Sequence, residues 1–392
     1  MLARYLVGSR QAIDDRPDAD RFGGNAPDGC PDIVHSETMA LVEIQRDQLS
    51  VHFAGRDALV AHDQRAFVDV LHILLSSGRA NPRAGTPQGS FKLHHYHAFG
   101  LKIASELELP ELHPGHGPAD VSIRFTRSPD APPRDDLVTV EGERLYLRLW
   151  DIEYEVLGGR EICVTAPARK EMMDVRIYLL GSIMAGLLHQ RSYLPVHGNV
   201  LSIGGGAAAF CGDSGAGKST LAAWFEAQGL EVLADDLCAV RFDAASNPSV
   251  FEGIPRIKLW PESLELFGRN SATLDKVASD LDKYHVPLAR AKKEGSLIPV
   301  PLERIYILDR SDEGQGLSIE RLTGLAAAKA VLDNAFGWQL GQNIKDNDRR
   351  QFDACLAIAS RCAVFRLRRR WSLAHFDEDA KLIERHLTEP LD

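Results

Sequence analysis

"FCGDSGAGKSTLAAWF", residues 210–225, sets three glycines, a lysine and a Ser-Thr pair between an apolar run and a helical pattern. The preceding "GAAAFC" is small and wholly apolar, as a buried strand is, and "KSTLAAWFEAQG" keeps a helical period until Gly229 stops it. Between them Gly212, Asp213, Ser214, Gly215, Ala216, Gly217, Lys218 and Ser219 match G-x-x-x-x-G-K-[ST] position by position, in the strand-loop-helix setting the motif requires. Glycines let successive backbone N–H groups curl around phosphate oxygens, and the helix N-terminus adds its positive end. Lys218 then reaches the β and γ phosphates, the Ser219 hydroxyl ligates magnesium, and Thr220 completes the nucleotide-binding stretch. A plain strand-to-helix joint needs a glycine; it does not need this whole set of donors.

A short strand, "LEVLA", follows the helix and runs into Asp235 and Asp236. Read as a parallel strand, it puts both carboxylates at the sheet edge where ligands of α/β folds bind. One acid can hold magnesium while the other accepts the proton of an attacking hydroxyl. Upstream, "LPVHGNVLSI" places His197 on an adjacent strand reaching the same edge.

Residues 196–236, "VHGNVLSIGGGAAAFCGDSGAGKSTLAAWFEAQGLEVLADD", resemble the catalytic core of the HPr kinase/phosphorylase family, whose members phosphorylate a serine of a protein partner. The shared register is a V-H-G histidine, a strand pair, G-D-S-G-x-G-K-S, and A-D-D. The resemblance implies an α/β fold with a P-loop kinase domain, ATP and Mg2+ as cofactors, His197 as an active-site residue, Lys218 on the phosphates, Ser219 on magnesium, and Asp236 as acid/base supported by Asp235. It also implies a magnesium-binding role for Glu252, in "VFEGIPRIKLW". The family's Arg-rich phosphorolysis loop has only Arg304, in "IPVPLERIYIL", as a loose counterpart. The layout upstream is similar to that of stand-alone HPr-kinase-like proteins, some of which phosphorylate the C-terminal serine of a lasso-peptide precursor.

Composition divides the rest. Residues 1–36 are rich in Asp, Gly and Pro and read as a flexible segment; residues 37–90 hold two strand-like runs and the helix-like "QRAFVDVLHILLSSG" as a small module. Residues 91–169 carry β-branched and aromatic runs at period two and read as a β-rich N-terminal domain built as an antiparallel meander. Residues 170–392 are the P-loop domain, opened by a mostly buried helix in "KEMMDVRIYLLGSIMAGLLHQR".

With a net charge of −10, general nucleic-acid binding is not expected, and no apolar run is long enough for a membrane span. A cytoplasmic location and buried reduced thiols for the six cysteines follow as expectations, and a homo-oligomer is left open. His94, His95 and His97 of "HHYH" read as a surface cluster, and "RLRRRW", residues 366–371, as an edge strand. The leading function is an ATP- and Mg-dependent kinase acting on a serine of a peptide or small protein. The alternatives are an HPr serine kinase, a small-molecule kinase, and a nucleotide-responsive binding module in which the acids and His197 are structural.

Overall fold

In the computed structural model the described residues are the strand residues 3–7, 40–45, 48–53 and 59–61, and then 92–129, 137–149, 151–289, 294–311, 315–337, 347–370 and 372–391. Backbone contacts divide the chain into two units, Met1–Ser76 and Ser77–Asp392. In the first, β1 (Ala3–Val7), β2 (Ala40–Gln45), β3 (Gln48–Phe53) and β4 (Leu59–Ala61) form an antiparallel sheet in chain order. The expected flexible segment and the helix-like run of residues 64–78 lie outside the described residues.

The second unit opens with an eight-stranded sheet of β5 (His94–Ala98), β6 (Leu101–Ser105), β7 (His113–Pro114), β8 (Val121–Ser128), β9 (Leu137–Glu141), β10 (Arg144–Leu149), β11 (Ile152–Leu157) and β12 (Glu161–Pro167). Alternation gives it one apolar face: Ile152, Tyr154 and Val156 point in while Glu153 and Glu155 point outward. The expected antiparallel meander holds for β9 to β12 but not throughout. β8 pairs in parallel with both β6 and β12, because the chain goes out to β7 at one edge before β8 and to β9 at the other edge before winding back to β12.

Onto that face packs α1 (Met172–Gln190), which contains a π-helical turn at Leu179–Ile183. By length and composition α1 could cross a membrane, but it lies in the core: Leu179, Ile183, Met184, Leu187 and Leu188 have no exposed surface. Each such side chain contributes about 1.5–3 kcal/mol on burial. The Tyr154 hydroxyl donates to the Val175 carbonyl (2.9 Å), pinning strand to helix.

The remaining elements, in chain order, are β13 (Leu194–Ile203), β14 (Gly206–Gly212), α2 (Lys218–Ala227), β15 (Glu231–Ala234), β16 (Leu237–Phe242), β17 (Pro248–Val250), β18 (Arg256–Leu259), α3 (Pro261–Leu266), β19 (Lys276–Ala278), β20 (Leu281–Pro287), β21 (Val300–Arg310), β22 (Ser318–Leu322), α4 (Gly324–Leu332), α5 (Asn347–Arg361), β23 (Ala363–Arg369) and α6 (Phe376–Thr388). The central sheet runs β15-β13-β14-β21-β23-β22. β14, β21 and β23 are mutually parallel, and β13 is antiparallel to both β14 and β15. β15 therefore does not lie beside a parallel neighbour as expected, yet it points the same way as β14. β23 is not an edge strand either, since β22 covers its outer side. The first four residues of β13 pair with β16 instead, so this strand serves two layers.

Direction decides what meets at the working edge. The C-terminal ends of β14, β15 and β23 arrive there, and so does the middle of antiparallel β13, where Gly198 pairs with Cys211. The opposite end of the β13–β14 hairpin closes through Gly204 and Gly205, both exposed and both at positive φ (60° and 90°), as a two-residue turn demands. A small sheet, β18-β20-β19, lies beside the edge. The described cysteines form no disulfide; Cys211, Cys238, Cys355 and Cys362 are buried and Cys163 is half-buried, burial raises the thiols of Cys238, Cys355 and Cys362, and Cys30 lies outside the described residues.

Candidate functional site

β14 delivers the chain into the glycine loop at Gly212, where an added Cβ would come within 2.7 Å of the Leu308 carbonyl oxygen. Asp213, Ser214 and Gly215 are exposed, and Ala216 is buried behind them. Gly217 adopts φ 80° and caps α2, whose first residue is Lys218. The Lys218 ammonium folds back on the loop and donates to the carbonyls of Gly212 (2.7 Å) and Asp213 (2.8 Å). Burial lowers its pKa, an effect the charge of Asp236 opposes. Asn199, buried on β13, donates to the Lys218 carbonyl (2.6 Å) and fixes the start of the helix.

Ser219 meets the acid pair: its hydroxyl donates to Asp235 Oδ1 (3.0 Å) and lies 3.1 Å from Oδ2. The Lys258 backbone N–H donates to Asp235 Oδ2 (3.0 Å). Burial, then the neighbouring Asp236 charge, pushes the Asp235 carboxyl above the usual range. A hydroxyl beside a carboxylate that is crowded by a second carboxylate is an oxygen donor set suited to a hard cation. Among the described residues no cluster of three or more His, Cys, Asp or Glu side chains could hold a metal alone. Magnesium at such a site takes one or two protein oxygens and completes its shell with phosphate and water. Thr220 turns away from the loop, its hydroxyl 2.9 Å from that of Ser263.

Asp236 has φ 74°, the left-handed region that Asp tolerates better than most residues. That backbone turn aims its carboxylate at Lys258, whose Nζ lies 2.6 Å from Oδ2, and toward His197, whose Nδ1 is 3.6 Å from Oδ1. His197 Nδ1 is also 3.1 Å from the Asp236 carbonyl oxygen; a carbonyl only accepts, so Nδ1 carries a proton. Burial opposes the Asp236 charge, but Lys258, then His197 and Lys283, outweigh it and hold the carboxyl well below the usual range. Lys258 is the reciprocal case: burial works against its charge, and Asp236 more than restores it. The His197 ring stacks on Phe336 (centroids 5.3 Å apart) and its amide donates to the Asn334 carbonyl (2.9 Å).

Arg369, at the end of β23, approaches the loop from outside. Its Nη2 donates to the Ala216 carbonyl (2.9 Å), the side chain is 6% exposed, and its guanidinium lies over the Phe376 ring (5.5 Å). A methyl group on Gly217 would collide with that same Nη2. The neighbouring arginines serve other contacts, Arg368 with Glu320 (3.2 Å) and Arg370 with buried Asp379 (2.6 Å).

His197, Lys218, Ser219, Asp235 and Asp236 are thus brought to one edge. Glu252 makes its described contacts elsewhere: its Oε2 accepts the Ser296 N–H (2.5 Å) and lies 3.6 Å from His113 Nε2. Arg304 is buried in β21 and donates to the carbonyls of His386 (3.3 Å) and Glu389 (2.5 Å), so it closes the end of α6 and has no part in a phosphate loop. His97 is not on the surface as expected. It is 2% exposed, with Nδ1 donating to the Gly295 carbonyl (3.1 Å). Lys258, Lys283, Asn199 and Arg369 were not singled out from the sequence. Two of them left a local trace: Arg369 in the basic run "RLRRRW", and Lys258 in the alternation of "PRIKLW" that puts Arg256 and Lys258 on one strand face.

No family model matches the chain, and no curated protein matches it. Among solved structures it matches the HPr(Ser) kinase/phosphatase from Coxiella burnetii at 12% identity and a TM-score of 0.26, covering 49% of this chain and 89% of that one. A likeness of that degree establishes no shared activity.

Proposed function

We propose that the protein is an ATP- and magnesium-dependent kinase of HPr-kinase type that transfers the γ-phosphoryl group to a serine hydroxyl of a peptide or small protein, such as the C-terminal serine of a lasso-peptide precursor. The observation that most supports this reading is the placement of a charged Asp236, flanked by Lys258 and His197, beside a complete phosphate loop. A nucleotide-responsive binding module needs the loop, but a second carboxylate held ionised at its mouth would only repel the ligand. The proposal includes a cytoplasmic setting, no nucleic-acid or membrane partner, and an acceptor-selecting role for residues 91–169.

In this reading Lys218 leaves the carbonyls of Gly212 and Asp213 for the β and γ phosphates, exchanging neutral acceptors for charged ones. Magnesium, when bound, neutralises charge on those phosphates; Ser219 and Asp235 would hold it. Glu252 is left out of the set, given its contacts with Ser296 and His113. The serine oxygen forms its bond to phosphorus as the bond to the ADP oxygen breaks, and the seryl proton passes to Asp236. An acid this weakly basic suits a loose transition state, in which the proton leaves late and positioning outweighs base strength.

Incubation with labelled ATP and serine-containing peptides tests the reading. Asp236→Asn should keep nucleotide binding while transfer falls by roughly 10²- to 10⁴-fold. Transfer near the wild-type rate would remove Asp236 from the chemistry, and absence of any transfer with intact nucleotide binding would leave the binding-module reading.

A further inference from the structure

β13 changes layers at His197, and there one of its edges needs a cover. β14 pairs with it only from Gly198 onward, and β16 takes the opposite edge of Leu194–His197. The edge left over is met by a short run that follows α4. The His197 N–H donates to the Asn334 carbonyl (2.9 Å), the Phe336 N–H donates to the Pro195 carbonyl (2.8 Å), and Ala335 bridges Val196 between them. The same run sets the Phe336 ring on the His197 imidazole, with centroids 5.3 Å apart and planes 23° from parallel. Gly337, at φ 64°, then turns the chain away.

A pairing this short is marginal by itself, and this one is held from behind by α1. His189, in the last turn of that helix, has no exposed surface, and its Nε2 lies 2.9 Å from the Phe336 carbonyl oxygen. A carbonyl only accepts, so Nε2 carries the proton, and Nδ1 accepts from the Gln351 amide of α5 (3.3 Å). Burial outweighs the Phe336 hydrogen bond and pushes the pKa of His189 down to about 4, with the nearby Arg350 charge acting in the same direction, so the ring is neutral at neutral pH. A leucine would fill the same space. Burying two polar nitrogens is unfavourable unless both find partners, and here the partners are the backbone beside His197 and a side chain of α5.

We infer that His189 is a positioning residue for His197, acting through Phe336; its effect on phosphoryl transfer rests on the kinase reading. His197 meets Asp236 in a particular ring orientation, with Nδ1 donating to the Asp236 carbonyl (3.1 Å) and 3.6 Å from its carboxylate. The imidazole is free to turn about its own side-chain bonds unless something packs against it, and the Phe336 ring does so on one face. Phe336 in turn cannot swing out while His189 holds its carbonyl and Pro195 its N–H. α1 packs on the apolar face of the β5–β12 sheet, so this contact carries the position of that layer to the working edge.

The test uses the full chain and reads His197 by NMR: the imidazole nitrogen shifts report the share of the Nδ1–H tautomer in the neutral ring, and the Phe336 ring shifts the imidazole protons upfield. His189→Leu, confirmed folded by near-ultraviolet circular dichroism, should lower both signatures. His189→Gln, which keeps a donor for the Phe336 carbonyl, should restore most of each. With ATP and serine peptides the leucine variant should lose roughly 10- to 100-fold in transfer at saturating nucleotide, the cost of a small misplacement at an active site. Its ATP affinity should stay near the wild-type value, since the phosphate loop leaves on β14, the other arm of the hairpin. A merely structural role would lower binding and transfer together. Phe336→Leu removes the ring and keeps the His189 hydrogen bond; it should lose the same tautomer preference, and it decides the matter if His189→Leu does not fold. A folded His189→Leu whose His197 signals match the wild type overturns the inference, as does a His189→Gln that behaves like the leucine variant or a Phe336→Leu with an unchanged tautomer share. Moved signals with unchanged transfer overturn the role in transfer. The His197 signals are read without an acceptor, so absence of transfer by the wild-type protein would sink the kinase reading while the shifts still decide the positioning.

Discussion

Lys258 Nζ and Asp236 Oδ2 are 2.6 Å apart, joining β18 of the small sheet to the end of β15 in the central one. The ion pair keeps a carboxylate charged against the burial that disfavours its charge.

Lys258→Met should therefore destabilise the protein at neutral pH by about 1–3 kcal/mol, less than for a fully buried pair because both side chains keep some solvent. The sign with pH follows from Asp236, whose native pKa lies below its unfolded value. It adds stability above the unfolded pKa, and that stability is lost as pH falls toward the native one. In the variant this acid-sensitive part should shrink, so urea melts across pH 2–7 should show a flatter stability curve than the wild type (roughly the window of a carboxylate titration). Parallel curves would mean that Lys258 does not hold Asp236 charged.

Sequence reading found the part of the site that is local and missed the part that is not. Gly212 to Ser219 lie on one loop, and Asp235 and Asp236 follow one short strand later, so spacing revealed them. Lys258, Lys283 and Arg369 reach the edge only through the strand order β15-β13-β14-β21-β23-β22 and the placement of β18 and β20, which no local period encodes. The same gap explains the misreading of β15 as parallel to its neighbour and of β23 as an edge: propensity identifies a strand, whereas its partner is chosen by long-range packing.

Ser219→Ala removes one oxygen of the hydroxyl–carboxylate pair and leaves Asp235 in place. The magnesium concentration for half-maximal activity should rise several-fold, with nucleotide affinity in the absence of metal little changed. A titration superimposable on the wild type would take Ser219 out of the metal site.

Arg369 acts on the phosphate loop through the Ala216 carbonyl, since a charged donor on that oxygen orients the Ala216–Gly217 peptide and strengthens its N–H as a donor. Arg369→Ala should weaken ATP and ADP binding by about tenfold, the worth of one charge-assisted hydrogen bond, with a smaller effect on the turnover of saturated enzyme. Arg369→Lys should recover part of the affinity. Unchanged nucleotide binding in the alanine variant would reduce Arg369 to a packing residue.

Gly217→Ala should be more damaging than the helix propensity of alanine suggests, because its methyl meets Arg369 at a positive φ. Combining it with Arg369→Ala should relieve the collision but not the backbone strain. Nucleotide binding measured across the four-member cycle separates the two costs, and strict additivity would mean that the residues do not touch in solution.

The exposed Gly204-Gly205 turn lies at the far end of the β13–β14 hairpin, some six strand residues, or about 20 Å, from the loop at Gly212. His197 and Asn199 arrive on one arm of that hairpin, and the phosphate loop leaves on the other. The molecule can therefore be opened there without disturbing a single side chain at the working edge. Residues 1–204 and 205–392, produced as separate polypeptides, would divide the candidate site, with His197 and Asn199 on the first and the phosphate loop and both acids on the second. Their reunion through the β13–β14 ladder would reassemble it, making this turn the natural seam for a split reporter of whatever brings the two pieces together.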